Sequence, residues 1–258
     1  MSTNRQLERI QQQFRRQAEA YERLASVSDA EGMRSLVRLT QPSGSERVLD
    51  VACGPAFLTM AFAEATREVV GLDGTDVFVA HARAEARRRG HTNLRLVLGD
   101  AERMPLTDAT FDVISCRAAF HHIPDPAIVL REMVRVARPK ARFLIADMVS
   151  SEDETKARLH NEVERLCDPT HARALTVSEL ERMFASAGLT MLFSGTSEME
   201  YPVEEWMTHG GPPPDVAEEI RRRMRDSMDG DKTGLGVRES GGELHFHHTV
   251  VAAVAQKP

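Results

Sequence analysis

The chain has 258 residues, 41% of them hydrophobic and 28% charged, and it carries a net charge of −6 at pH 7. A globular chain of this length buries a sizeable core without staples, in one or two domains. Its acidic balance excludes nucleic-acid binding that rests on overall charge, so no nucleic-acid partner is expected.

The first 42 residues predict a helical cover. Apolar residues recur there every three or four positions, which marks one face of a helix; they are Leu7, Ile10, Phe14, Ala18 and Tyr21. A second helix is expected from about Asp29 to Thr40, and it ends before Pro42.

Between residues 46 and 149, apolar runs typical of strands alternate with helical patterns. The expected strands are 48–51, 69–73, 94–98, 111–116 and 143–148, and the expected helices are 57–65, 77–89 and 126–137. This alternation indicates βαβ units and a parallel sheet. Because the strands are almost continuously apolar, helices are expected on both faces of the sheet.

Residues 150–258 are expected to hold a lid insert and the sixth and seventh strands, within a single domain of 1–258. Thr176 gives a clear N-terminal signal for a helix that runs to Ala187. Strands are predicted over 189–193 and 244–255, and an arginine-rich helix over 217–228 forms a small helical insert.

Acidic residues and a glycine follow the first three strands, where ligands bind in open α/β sheets. Gly54 lies in the turn after Asp50, Asp73 comes 19 residues after Gly54, and Asp100 follows the third strand. A carboxylate at Asp73 can accept from both hydroxyls of a ribose. One at Asp100 can accept from an adenine amino group while the N–H of Ala101 donates to the ring. A purely structural turn at Gly54 and a helix cap at Asp73 are the alternatives.

The first of these turns argues against a nicotinamide dinucleotide. A pyrophosphate requires the glycine-rich G-x-G-x-x-G turn, whereas residues 52–57 read ACGPAF, with one glycine. Pro55 also removes a backbone donor that a phosphate would use. A ligand with ribose and adenine but no phosphate fits better, and S-adenosylmethionine is such a ligand.

Four segments now resemble a known family: VLDVACGPAFLTMAFAE (48–64), VVGLDGT (69–75), NLRLVLGDAERMPLTDATFDVISCRAAFHHIPDP (93–126) and LREMVRVARPKARFLIADM (130–148). They resemble the class I S-adenosylmethionine-dependent methyltransferases, and within these the small-molecule group around the ubiquinone and menaquinone C-methyltransferases. The resemblance covers about residues 10–200. It implies a Rossmann-like α/β fold with a seven-stranded, mostly parallel sheet, an antiparallel last strand and helices on both faces.

The resemblance also implies a cofactor site within the core of 46–149. The residues that would surround the methionine part are Asp50, Ala52, Cys53 and Gly54, with Arg117 near its amine. Those that would hold the ribose and the adenine are Asp73, Gly74, Asp100, Ala101 and Met104, and the residue that would cover the cofactor is Tyr21. The chain departs from the family at Ala52, at Pro55-Ala56 and at Pro139-Lys140-Ala141. Ala52 replaces a glycine and is expected to cost little.

Three histidines are candidates for catalysis. His121 and His122 follow the fourth strand, so at most one of these neighbours is expected to face the cofactor. His171 lies in the insert where this group builds its substrate lid. Each could act as a base or simply form the pocket wall. A wall of Arg117, His121 and His171 would suit an acceptor with a carboxylate, a carbonyl or an acidic hydroxyl, and would disfavour a cationic amine.

The remaining histidines and the cysteines predict no metal site. His245, His247 and His248 have no acidic or cysteine partner nearby in sequence, so we expect them to be solvent-exposed strand residues. The cysteines are widely spaced and form no CxxC pair, so neither a disulfide framework nor a zinc site is indicated; they are Cys53, Cys116 and Cys167. With a polar N-terminus and no apolar run long enough for a membrane span, we expect a cytoplasmic protein.

The sequence therefore predicts an enzyme that transfers a methyl group from S-adenosylmethionine to a carbon, oxygen or nitrogen of a small organic molecule. Three alternatives stay open: a non-methylating reaction on the same fold, such as a cyclisation; a cofactor-binding partner without turnover; and, most distantly, a nicotinamide oxidoreductase. The identity of the acceptor, the atom methylated, the use of a base and the formation of a homodimer are not determined by the sequence.

Overall fold

A computed structural model describes residues 8–9, 11–13 and 29–258 of the chain. From residue 29 onward the helices are α1 (Ala30–Leu39), α2 (Phe57–Ala65), α3 (Asp76–Arg88), α4 (Pro126–Val136), α5 (Glu154–Cys167), α6 (Val177–Ser186), α7 (Val203–Gly210) and α8 (Pro214–Ser227), with a 3-10 turn at Phe120–His122. The strands are β1 (Arg47–Val51), β2 (Glu68–Asp73), β3 (Leu94–Leu98), β4 (Phe111–Arg117), β5 (Ala137–Val149), β6 (Thr190–Pro202), β7 (Arg238–Ser240) and β8 (Glu243–Gln256).

The strands form a single mixed sheet in the order β3-β2-β1-β4-β5-β8-β6. Strands β1 to β5 pair in parallel, and β8 runs antiparallel between β5 and β6. This confirms the predicted Rossmann-like sheet with its antiparallel last strand. The eighth strand, β7, was not predicted, because only three residues of it pair with β8. Gly241 and Gly242 form the turn between them, and both take positive φ values that suit a tight hairpin.

Helices cover both faces of the sheet, as predicted. On one face α4 and α6 pack on inward residues such as Leu49 and Ile145. On the other, α1 and α2 pack on Val48 and Leu144, the neighbours of those residues in the strands. Because successive side chains of a strand point to opposite faces of the sheet, one apolar run provides contacts for the helices on both faces. The carboxyl ends of β1, β2 and β4 lie at one edge of the sheet, where their loops line a cavity.

A third core lies beside the N-terminal half of β8. There α5, α7 and α8 pack around Phe246 and Trp206. Helix α8 starts three residues earlier than predicted, because Pro214 provides a pre-formed first turn. Helices α5 and α7 were not predicted. The inward face of α5 carries His160, Asn161 and Glu164, and these polar residues break the apolar period on which helix prediction depends.

The predicted apolar face of the N-terminal helix lies outside the described residues. Described side chains of that segment contact the rest of the chain, and Arg9 donates to the carbonyl of Pro169 at 2.9 Å. Gln11 donates to the carbonyl of Gly74 at 2.7 Å, and Gln13 donates to the carbonyl of Gly210 at 3.2 Å. Within the described ranges, no helix is long and apolar enough to cross a membrane.

Candidate functional site

A cavity of about 130 Å³ lies at the carboxyl ends of β1, β2 and β4. All but two of the predicted cofactor residues line it: Asp50, Ala52, Cys53, Gly54, Asp73, Gly74, Asp100, Ala101 and Arg117. Of the other two, Tyr21 lies outside the described residues. The side chain of Met104 is buried in the main core and does not line the cavity, so its predicted contact with adenine has no support there.

Three residues in the loop after β1 have a left-handed backbone conformation. Ala52, Gly54 and Ala56 have φ values of +52°, +51° and +67°. For an alanine this region costs about 1–2 kcal/mol, because Cβ approaches the following carbonyl oxygen. The expectation that Ala52 costs little is therefore wrong. The N–H groups of Cys53 and Ala56 donate within the protein, to the carbonyls of Leu72 and Cys53.

Asp73 joins this loop to the end of β2. Its carboxylate accepts from the N–H of Gly54 and from the N–H of Thr75, each at 2.7 Å. The cap of α3 is Thr75, so the alternative in which Asp73 caps that helix is wrong. Burial raises the Asp73 pKa, and the two backbone hydrogen bonds oppose the shift. Each oxygen keeps a further lone pair for a ribose hydroxyl.

Asp50 lies deeper in the same cavity. Thr59 and Ser115 donate to its carboxylate at 2.6 and 2.7 Å. Burial raises its pKa to about 6, and these hydrogen bonds and the charge of Arg117 offset the shift only in part. A cationic group of a ligand would stabilise the ionised form. Asp50 is thus suited to an ammonium or sulfonium and unsuited to a phosphate.

A second cavity, of about 480 Å³, adjoins the first. The two share the residues Arg117, Ala118 and His122 at the end of β4. Its walls combine polar groups with an apolar surface that includes Met33, Leu36, Met148, Met199, Trp206 and Val250. Molecules bound in the two cavities would therefore come close to each other at these residues.

His121 stands in the wall of the second cavity and is held by a buried carboxylate. Its Nδ1 lies 2.5 Å from Oδ1 of Asp147, at the end of β5. The same carboxylate accepts from the N–H groups of Ala119, Phe120 and Met148. Burial lowers the His121 pKa, but the charge of Asp147 and its hydrogen bond outweigh burial, so the pKa lies above the usual 6.5. For Asp147, burial raises the pKa, and the same pairing with His121 outweighs it and lowers the pKa.

Sequence reasoning missed Asp147. The residue lies near the carboxyl end of β5, as Asp50 and Asp73 lie at or near the carboxyl ends of β1 and β2, so the rule that found those two could have found it.

His122 and His171 lie next to His121, as predicted for a histidine wall. The ring centre of His121 lies 4.1 Å from that of His122 and 5.7 Å from that of His171. Burial lowers the His122 pKa to about 4 and the His171 pKa to about 3. His171 Nε2 lies 2.7 Å from Asn161 Oδ1, which can only accept, so this nitrogen is the donor. Among the three, His121 has the geometry of an oriented base.

The C-terminal histidines differ from their prediction. His248 is 5% exposed, and its Nε2 lies 2.7 Å from Oε1 of Glu164 on α5. The expectation that His248 is solvent-exposed is therefore wrong: its acidic partner is 84 residues away in sequence. His245 and His247 are partly exposed, and Glu200 and Glu198 lie beside them.

The cysteines are free thiols. Cys116 and Cys167 are buried, and Cys53 lines the first cavity. Burial raises the pKa of the Cys53 thiol well above its usual value, so it stays protonated at neutral pH. This thiol is therefore a poor nucleophile.

The chain is similar to known proteins over most of its length. Residues 42–188 match a family model described as a methyltransferase domain. The chain is 30% identical over 237 residues to the uncharacterized methyltransferase YcgJ of Bacillus subtilis (strain 168), covering 90% of this chain and 93% of that protein. The crystal structure of that protein matches with a TM-score of 0.83 at 27% identity, over 88% of this chain and 98% of its own. A demethylmenaquinone methyltransferase of Anoxybacillus flavithermus is 34% identical over 145 residues, which are 53% of this chain and 61% of the relative.

Proposed function

Since the chain belongs to the methyltransferase-domain family, we propose that it methylates a small organic molecule bound in the second cavity, with S-adenosylmethionine in the first. The observation that carries the proposal is the boundary between the cavities. Arg117, Ala118 and His122 line both of them, and the buried His121–Asp147 pair lies beside that boundary.

The first cavity fits this cofactor by the chemistry of its donors. Asp73 and Asp100 offer carboxylates to a ribose and to an adenine amino group, and Asp50 offers one to a cationic end. Ala52 and Phe57 stand where a pyrophosphate-binding turn has its first and third glycines, and Pro55 lacks an N–H to donate, so the loop disfavours a dinucleotide. When bound, S-adenosylmethionine supplies an activated methyl group on a sulfonium.

The chain's own task is to position the acceptor and to take up its proton. Holding two reactants in line accounts for a large part of the acceleration in such a displacement. Because Asp147 holds Nδ1 of His121, Nε2 is the nitrogen that can receive a proton from the acceptor. Asp147 then stabilises the imidazolium. As the acceptor atom bonds to the methyl carbon, the carbon–sulfur bond breaks and its electron pair stays on sulfur.

The acceptor that fits is a largely apolar molecule with an acidic hydroxyl, methylated on that oxygen or on a carbon adjacent to the one that bears the hydroxyl. In either case one proton must leave, and His121 is placed to take it. The demethylmenaquinone methyltransferase relative, whose name implies a quinone-derived acceptor, aligns with only 53% of this chain. The proposal therefore rests on the chemistry of the cavity and includes phenols and enols in general.

The test is the formation of S-adenosylhomocysteine with a panel of phenols, enols and amines. We expect S-adenosylhomocysteine and a methylated product in equal amounts with at least one hydroxyl-bearing acceptor. Loss of an acceptor without S-adenosylhomocysteine would favour a non-methylating reaction such as a cyclisation. Tight binding of S-adenosylhomocysteine without turnover across the panel would favour a cofactor-binding partner, and absence of that binding would refute the proposal as a whole.

A further inference from the structure

Three buried side chains converge beside the second cavity, which two of them, Glu164 and His248, line. His160 and Glu164 lie one turn apart on the inward face of α5, and His248 faces them from β8. They are 1%, 4% and 5% exposed. One ligand atom from each lies within 4.8 Å of the other two. Among the described residues, this cluster is the one with the composition and spacing of a metal-binding group.

One atom of this cluster has no partner. His160 Nε2 is buried without a hydrogen bond, and among the described residues it is the single buried side-chain nitrogen or oxygen in that state. Its distance of 3.7 Å from Oε1 of Glu164 is too long for a hydrogen bond. Polar atoms in protein interiors are nearly always paired, so an unpaired one calls for an explanation such as an ion. The atom faces the same carboxylate oxygen that His248 contacts.

The donor set and its spacing suit a transition-metal ion. Two imidazole nitrogens and a carboxylate oxygen are typical ligands of Zn²⁺ and Fe²⁺, whereas Mg²⁺ and Ca²⁺ prefer oxygen alone. With bonds of about 2.0–2.1 Å in a tetrahedral site, ligand atoms lie about 3.3 Å apart. The present distances to Oε1 of Glu164 are 3.7 Å from His160 and 2.7 Å from His248. Movements of less than about 1 Å at either side would bring both to that spacing.

The surroundings hold these ligands in place and leave one side open. The rings of His160 and His248 are nearly parallel, with an interplanar angle of 13° and centres 5.9 Å apart. Phe246 and Tyr201 pack against His248 at 5.0 and 5.3 Å. Glu164 and His248 themselves line the second cavity. An ion on three protein ligands would therefore keep a coordination position toward that cavity, as catalytic zinc sites do.

We propose that His160, Glu164 and His248 bind a divalent transition-metal ion whose open coordination position faces the second cavity. The ion binds an oxygen of the acceptor and holds it relative to the His121 base. This last role rests on the proposed function, whereas the metal site itself does not. A cluster that serves only to link α5 to β8 by hydrogen bonds is the competing explanation.

The test uses the untagged full-length protein after chelator treatment, with Co²⁺ as a spectroscopic probe and Zn²⁺ as its competitor. We expect one equivalent of Co²⁺ to bind with visible absorption bands, and Zn²⁺ to displace it. His160→Gln should weaken Co²⁺ binding at least tenfold, although it removes no hydrogen bond of Nε2. His247→Gln, one residue from His248 on the other face of β8, is the matched control and should bind as the wild type does.

Two outcomes overturn the metal site. One is a wild-type protein that binds no Co²⁺ at about 100 µM total metal, a concentration on the order of the dissociation constants of weak metal sites. The other is a His160→Gln variant that binds Co²⁺ as tightly as the wild type does. Azide probes the open position, because a small anion there alters the Co²⁺ bands. An unaltered spectrum at saturating azide overturns the open position. Affinity for S-adenosylhomocysteine is measured on each variant. It reports folding and tests the proposed function separately, since the cluster does not line the first cavity.

Discussion

Replacing His121 by alanine distinguishes the proposed roles of the two cavities, because it should lower kcat without changing cofactor affinity. His121 lines the second cavity and not the first, so its loss should leave S-adenosylhomocysteine affinity within about twofold of wild type. A positioned base accounts for about 10²–10⁴-fold in rate, which is about 3–5 kcal/mol of transition-state stabilisation. The kcat of His121→Ala should fall by that factor with little change in cofactor affinity. His122→Ala should change both quantities, because His122 lines both cavities.

The pH dependence of the same variant gives a second measure. Only neutral His121 accepts a proton, and its pKa lies above the usual 6.5. The kcat of the wild type should therefore rise with pH through an apparent pKa above 6.5, and this limb should vanish in His121→Ala. Because a raised pKa stabilises the folded state below the unfolded value, this contribution is full below about pH 6.5 and is lost as pH rises through the folded pKa. His121→Ala should thus lower Tm more at pH 6 than at pH 9.

The assay is single-turnover formation of S-adenosylhomocysteine between pH 5.5 and 9, with His245→Ala as control. His245 lies on β8 outside both cavities and is partly exposed. A His121→Ala variant that keeps kcat within threefold of wild type would refute the role of base. If His122→Ala and His171→Ala were also fully active, positioning alone would be the mechanism, and the acceptor would have to ionise unaided.

Four further predictions concern the cofactor cavity, two strained backbone positions and the N-terminal segment. Asp73→Ala should weaken S-adenosylhomocysteine binding by about 1–3 kcal/mol in calorimetry, since its hydrogen bonds to ribose and to Gly54 are lost; unchanged affinity would remove Asp73 from the site. Ala52→Gly and Lys140→Gly should each raise Tm by about 2–3 °C, because φ values of +52° and +65° strain these residues, and Lys140→Gly should leave cofactor affinity unchanged; a lower Tm would contradict the strain. Cofactor affinity should fall below about pH 6 as Asp50 protonates, and calorimetry that shows no proton release near that pH would argue against it. Deleting residues 1–22 should speed cofactor release and abolish turnover without unfolding the sheet, and stopped-flow kinetics that match the intact chain would show that the segment is no cover.

Most of the sheet could be predicted because its signals are local. In β1 and β2 an apolar run ends at Asp50 or Asp73, and the helix that follows starts within a few residues. Burial on both faces makes such strands continuous in sequence. Strand β6 was predicted too short because its second half, up to Pro202, is polar. Pairing with β8 over its whole length extends it, and that pairing is visible only in the fold.

The acceptor side was harder to predict because its contacts are distant in sequence. His121 meets Asp147 across 26 residues, and His248 meets Glu164 across 84. Alternation along β8 places His248 on the opposite face of the strand from His245 and His247. Nothing near His248 in the sequence identifies Glu164 as the residue that this face contacts. A histidine prediction that relies on sequence neighbours fails where the partner lies on another element. The rule that ligands bind at the carboxyl ends of strands in an open α/β sheet does not depend on sequence neighbours, and it would have found Asp147.

Helix α5 was not predicted from the sequence, and it carries two of the three residues of the proposed metal site. Its inward residues His160, Asn161 and Glu164 are buried, although burying polar groups costs free energy that apolar residues in their place would avoid. Asn161 recovers that cost by binding His171 and the amide of Ala174. Glu164 recovers it through His248, but His160 Nε2 makes no hydrogen bond within the described chain. Local rules fail most often where a protein departs from them for function, and here the departure lies on a helix whose Glu164 lines the second cavity.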